Sequence, residues 1–260
     1  MELYKTEYTR NRGKGKLDKV LLKYEEVNNN KLKDVLYVSD KYDIVIKFNY
    51  LDLINNDYKM NEALKDLPNF IKYLYKLNIT EWSNIKEITN SFTKTNYYNG
   101  VEVGISVMNH YTLGCIYNYE WNENNFYILK NVIKQVVLAI FYAYDTIGFI
   151  HEDLHCGNVL LKTKSKDYIE YGKKKVKIEE YEAVIMDYDN SKINEKDKLH
   201  MLMRKINRFI TSIMCSNNMK LYITYEYDRL IKLASKNEEK EINYYDELEE
   251  IADNIKIENN

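Results

Sequence analysis

The chain has 260 residues, of which 30% are charged and 45% hydrophobic, and its formal net charge is −2. That length can bury a core as one large domain or two small lobes. With 8 Gly, 1 Pro and 3 Cys it excludes collagen-like and disulfide-framework proteins, and the interleaved Lys and Asp/Glu give no reason to expect direct nucleic-acid binding.

Cys115, Cys156 and Cys215 form no C-x-x-C pair, which suits a reducing compartment. The start, Met-Glu-Leu-Tyr-Lys, lacks the order of a secretory signal. The most apolar run, Val136 to Tyr144, falls short of the ~20 residues that span a bilayer. An intracellular protein is expected, cytoplasmic or nuclear, not secreted and without a membrane partner. Asn is abundant and Gly scarce, so Asn does turn work that Gly often does.

In chain order, residues 1–18 read as a polar, basic arm. Val35-Leu36-Tyr37-Val38 and Ile44-Val45-Ile46-Lys47-Phe48 flank Asp40-Lys41-Tyr42-Asp43 and predict a β-hairpin. Residues 56–77 read as mostly helical, with Pro68 at a start or a kink. Val101 to Met108 predicts another strand. Ile128, Val132, Val136, Ile140 and Ala143 recur at helical spacing from Tyr127 to Asp145, and Gly148 marks the stop. Strands are expected at Val159-Leu160-Leu161-Lys162 and Ala183-Val184-Ile185-Met186-Asp187, separated by a basic, Tyr-rich insert at 163–180. A second amphipathic helix spans 195–214. The acidic C-terminal segment reads as a solvated helix with a frayed tail. The class is α+β: a β-rich part over 19–114, a helical part over 115–250 and an acidic end at 251–260.

The peptide His151-Glu152-Asp153-Leu154-His155-Cys156-Gly157-Asn158 carries two competing chemistries. His151-Glu152-x-x-His155 matches the zinc-hydrolase string, in which two histidines one helical turn apart share Zn²⁺ beside a glutamate. Gly148 and Gly157 bracket it, however, and a strand follows, which is the wrong context for that helix. The rival reading takes His151, Asp153 and Asn158 with the strand-end Asp187 as a phosphoryl-transfer set. There, an aspartate on a loop accepts a hydroxyl proton, and Asn and Asp oxygens hold Mg²⁺. Lys47, inside an early strand, can reach nucleotide phosphates. Four residue types in the required order are far more specific than the zinc string.

The run Phe149 to Lys162, with His155 two positions after the aspartate, resembles the protein-kinase superfamily and is most similar to haspin-type Ser/Thr kinases. The insert at 163–180 and the Asp187-Tyr188-Asp189 ending add to that likeness, which covers roughly residues 24–215. The resemblance implies a two-lobed kinase-like α+β fold that uses ATP and Mg²⁺. It implies Asp153 as catalytic base, His151 as a brace between catalytic loop and metal-binding strand, and Asn158 and Asp187 as metal ligands. Lys47 would hold the nucleotide phosphates, beneath a covering segment that includes Asn28, Asn30 and Val35.

The chain departs from the pattern in several places. Asn28, Asn30 and Lys33 stand where the three loop glycines belong. The ionic partner of Lys47 reads as either Glu62 or Asn69. The interval between Asp187 and the next helix is short, and Glu152 replaces the usual arginine. The resemblance implies phosphorylation of a protein hydroxyl, on a basic, histone-like tail. A small-molecule kinase of the aminoglycoside or choline kind, and a pseudokinase serving as a binding module, are the alternatives.

Overall fold

A computed structural model describes residues 35–39, 44–79, 103–214, 222–235 and 243–258. The N-terminal arm, the assigned Asn28 and Asn30, the turn at 40–43 and the side chain of Val35 lie outside what is described. Two compact units are present: Met1–Lys59 with Lys72–His110, and Met60–Ile71 with Tyr111–Asn260.

The first unit is built on an antiparallel sheet of β1 (Val35–Ser39), β2 (Ile44–Tyr50), β3 (Tyr73–Ile79) and β4 (Val103–Asn109), in the order β1-β2-β4-β3. The expected hairpin is β1 with β2, in register Val38↔Val45 and Leu36↔Lys47. β2 is an interior strand, and Lys47 lies opposite Ser106 on its other side. Helix α1 (Leu51–Leu64) follows β2 without a break. It lies so close to the sheet that a Cβ on Gly104 would sit 2.7 Å from the Ile54 Cβ. Only glycine permits that approach.

The helix expected over 56–77 is therefore wrong at both ends, starting at Leu51 and stopping at Leu64. Pro68 has no N–H to donate and disfavours helical backbone at Leu67. The chain turns there, with Asn69 in the left-handed region at φ 67. Beyond the turn, buried Tyr73 and exposed Leu74 alternate as a strand requires.

The second unit contains α2 (Phe126–Ile147), α3 (Leu199–Met214), α4 (Tyr227–Ser235) and α5 (Tyr244–Asp253). Its strands are β5 (Val159–Thr163), β6 (Tyr168–Tyr171), β7 (Lys174–Lys177), β8 (Tyr181–Ile185), β9 (Tyr222–Thr224) and β10 (Lys256–Glu258). By length and composition α2 could cross a membrane, yet Leu129, Val132, Ile133, Val136 and Ile140 are all fully buried. β8, α3 and α5 pack around it, so α2 is the axis of this core. Gly148 stops it as the sequence predicts, in a left-handed cap whose N–H reaches the Ala143 and Tyr144 carbonyls.

β5 pairs with β8, and the 163–180 insert folds as the β6–β7 hairpin. The acidic C-terminal segment is not a frayed tail through the described residues. Leu248, Ile251 and Ala252 bury the inner face of α5, Lys134 and Lys174 bind its acidic face, and β10 pairs with β9. Its apolar residues recur at helical spacing and find a core, while the acids remain outside. The α+β class with a smaller β-rich and a larger helical unit is what the kinase resemblance implies.

Candidate active site

In the first unit, Lys47 is buried in the middle of β2 and its Nζ lies 3.3 Å from Asp57 Oδ2 on α1. Asp57 is itself fully buried and accepts a hydrogen bond from the Tyr73 hydroxyl at 2.6 Å. Neither residue expected to partner Lys47 does so. Glu62 is half exposed and pairs with Lys65. Asn69 belongs to the second unit, where it donates to Gln135 Oε1 and the Ala183 carbonyl and accepts from the Tyr171 hydroxyl. The reason is helical phase: with α1 beginning at Leu51, the inward stripe carries Ile54, Asp57, Met60, Asn61 and Leu64, and Glu62 faces out.

In the second unit the candidate residues His151, Asp153 and Asn158 sit on the connection between α2 and β5, and Asp187 lies just after β8. Buried Leu154 anchors the connection, and Ile150 exchanges two backbone hydrogen bonds with Lys192. The Cys156 N–H donates to Ser212 Oγ at 2.8 Å, hanging the loop from α3. His151 is fully buried. Its Nε2 lies 2.9 Å from the Met186 carbonyl and its Nδ1 accepts from the Asp153 N–H at 3.2 Å. That pattern fixes the neutral tautomer with the proton on Nε2. Burial drives its pKa down, in keeping with an uncharged ring.

Met186 also donates its N–H to the Asn158 carbonyl at 3.0 Å. The residue before Asp187 is thus tied to both ends of the loop. Asn158 Nδ2 donates to the Asp153 carbonyl at 3.0 Å, which leaves its side-chain oxygen as the atom to offer a cation. Asp187 has φ 70, a conformation uncommon for a residue other than glycine. Tyr188 holds it there: its ring is fully buried against Phe70, Phe149 and His151, and its hydroxyl accepts from the Ile71 N–H and donates to the Ile185 carbonyl. Strain held by packing beside a carboxylate is a mark of functional sites.

The Asp153 carboxylate is 43% exposed, with His155 Nε2 at 3.6 Å and Arg208 of α3 at 3.0 Å. The His155 ring beside it holds its carboxyl below the ordinary value against the opposing effect of burial, and Arg208 adds to the depression. Glu152 faces the other way. Burial pushes its carboxyl up, but Lys205 at 2.6 Å and Lys192 at 3.0 Å outweigh that and hold it low. Lys205 also donates to the Glu152 carbonyl, so Glu152 and Lys205 together brace the loop from α3.

Zinc geometry is absent from this peptide. Residues 151–155 form turns rather than a helix, both His151 nitrogens face backbone groups, and His155 Nδ1 accepts from Gly157 N–H. Among the described residues no cluster of three or more His, Cys, Asp or Glu side chains could hold a metal alone. Asn158 and Asp187 could offer oxygens to Mg²⁺, which takes one or two side-chain ligands and completes its shell with phosphates and water.

Sequence reasoning misses Asp57, Arg208 and the Glu152–Lys205 brace. The signal for Asp57 was available in the phase of α1, once its start is placed at Leu51. Arg208 was signalled only by its place on the polar face of an amphipathic helix.

No protein-family model matches the chain, and no curated protein matches it. Among solved structures, one described as "WaaP in complex with acyl carrier protein" is similar over 81% of this chain and 76% of its own, at 9% sequence identity and a TM-score of 0.47.

Proposed function

We propose that this protein is an ATP- and Mg²⁺-dependent phosphotransferase that transfers the γ-phosphoryl group of ATP to a serine or threonine hydroxyl of a protein, acting inside the cell. The observation that carries this reading is the double tether at Met186. Through it one loop, with a half-exposed aspartate and an amide oxygen, is tied to the strand end that carries a second, strained aspartate.

Bound Mg-ATP would supply the phosphoryl group and the neutralising charge. The chain's own residues orient and exchange the proton: Asp153 accepts it from the acceptor hydroxyl, a contribution of about 10²–10⁴-fold. Asn158 and Asp187 would hold the cation, and Lys47, set by Asp57, the phosphates. Asn28, Asn30 and Val35 are assigned to the nucleotide by the kinase resemblance.

Two measurements test the reading. Mg-ATP should raise the melting temperature of the wild-type protein and not that of Asp187→Ala; equal shifts in both would refute the metal assignment. Radiolabelled ATP offered with casein, histone and small-molecule acceptors should label protein on serine or threonine. Label confined to the small molecules would make the chain a small-molecule kinase.

A further inference from the structure

α3 carries charge in an unusual distribution. The chain as a whole interleaves 38 Lys and Arg with 40 Asp and Glu, yet α3, LHMLMRKINRFITSIM, contains no acidic residue. Its inner stripe, including Leu202, Ile206, Phe209 and Ile213, is fully buried. The exposed stripe opposite runs His200, Arg204, Arg208 and Thr211, at the four- and three-residue spacing that aligns side chains on one helix face.

Lys205, between the two stripes, is spent on Glu152. Arg208 reaches Asp153 with one guanidinium nitrogen at 3.0 Å and is 56% exposed, so most of its five donors face solvent. Arg204 lies one turn earlier, with no acidic side chain within 4 Å among the described residues. A row of arginines that ends on the assigned base does not help the base itself, since a neighbouring cation makes a carboxylate a weaker proton acceptor. It would serve a ligand of opposite charge.

We propose that the exposed arginine stripe of α3 is a docking surface for an acidic segment of the protein substrate, and that Arg208 selects acceptor hydroxyls flanked by carboxylates. This deepens the phosphotransferase reading and rests on it for the identity of the acceptor. The surface points to a substrate of opposite charge to the basic, histone-like tail that the haspin resemblance implies. Arg204 and Arg208 are one turn, about 6 Å, apart, which an extended peptide spans in about two residues. An acidic residue beside the hydroxyl would draw Arg208 from Asp153 and uncover the carboxylate, and a second acid two residues further would meet Arg204.

The test is fluorescence anisotropy with two labelled serine peptides, one flanked by Asp and Glu and the other by Lys and Arg, bound to the full chain at low ionic strength. The acidic peptide should bind about tenfold more tightly than the basic one, the scale of one charge-assisted hydrogen bond at a half-exposed site. That preference should fall with added salt, vanish in Arg204→Gln/Arg208→Gln and reverse in Arg208→Glu. It should persist in Lys175→Gln, which removes an exposed cation of β7 elsewhere on the unit. Equal affinity for the two peptides, tighter binding of the basic one, or a loss in Lys175→Gln as large as in the α3 variants would overturn the proposal. Binding is read without turnover. A lost acidic preference alongside an intact Mg-ATP shift therefore refutes the docking surface alone, and the converse refutes the phosphotransferase reading alone.

Discussion

Lys47 and Asp57 form a buried ion pair at 3.3 Å, ten residues apart in sequence and carried by a strand and the helix that follows it directly. A buried ammonium needs a carboxylate, because removing one member leaves the other desolvated and costs about 3–5 kcal/mol. Asp57→Ala is expected to lower unfolding stability by about that amount in urea titrations and to weaken ATP binding, since Lys47 loses the group that orients it. Glu62→Ala, at an exposed site, is expected to change stability by less than about 0.5 kcal/mol and to leave ATP affinity unaltered.

The acid limb of activity should follow Asp153. Its carboxyl is held below the ordinary value first by the neighbouring His155 ring and further by Arg208, so it stays ionised and able to accept a proton at lower pH than a free carboxylate. The limb in kcat/KM is accordingly expected below about pH 4, the usual carboxylate value. His155→Ala should move it to higher pH. A pH–rate profile of the two proteins checks this, and an unmoved limb would mean that another group sets it.

Glu152 offers a pH-dependent stability test with a definite sign. Its folded-state pKa is depressed, so its contribution is present above the unfolded value of about 4.3 and is lost as pH falls through the lower folded value. Glu152→Gln is expected to cost about 1–3 kcal/mol at pH 7. The gap between variant and wild type should close under acid. Thermal melts from pH 7 to pH 3 report it directly.

Gly148 ends α2 at φ 65, and a Cβ there would lie 2.6 Å from the Glu195 backbone nitrogen. Gly148→Ala therefore combines left-handed strain with a clash against main chain that cannot swing away. A loss of about 2 kcal/mol or more is expected in chemical denaturation.

What was legible in the sequence was whatever is local. The loop from His151 to Asn158 is one contiguous peptide whose internal bonds, Asp153 N–H to His151 and Asn158 to the Asp153 carbonyl, join near neighbours. The period of α2 and its Gly148 stop are likewise local. Asp57 was missed because its role depends on where α1 begins, and a helix expected only from residue 56 leaves Asp57 in its first turn, without the phase that starting at Leu51 gives it. The C-terminal acids were misread because Leu248 and Ile251 need α2 to cover them, a tertiary fact that charge counting does not contain. Arg208 meets Asp153 across 55 positions of sequence, and no local pattern specifies that meeting.

Asp153 is expected to accept a proton during phosphoryl transfer, and single-turnover transfer of labelled phosphate from Mg-ATP to a serine peptide tests this most directly. The wild type is expected to label the peptide, and Asp153→Ala to do so about 10²–10⁴-fold more slowly while binding nucleotide equally well. Equal rates in the two proteins would contradict the assignment.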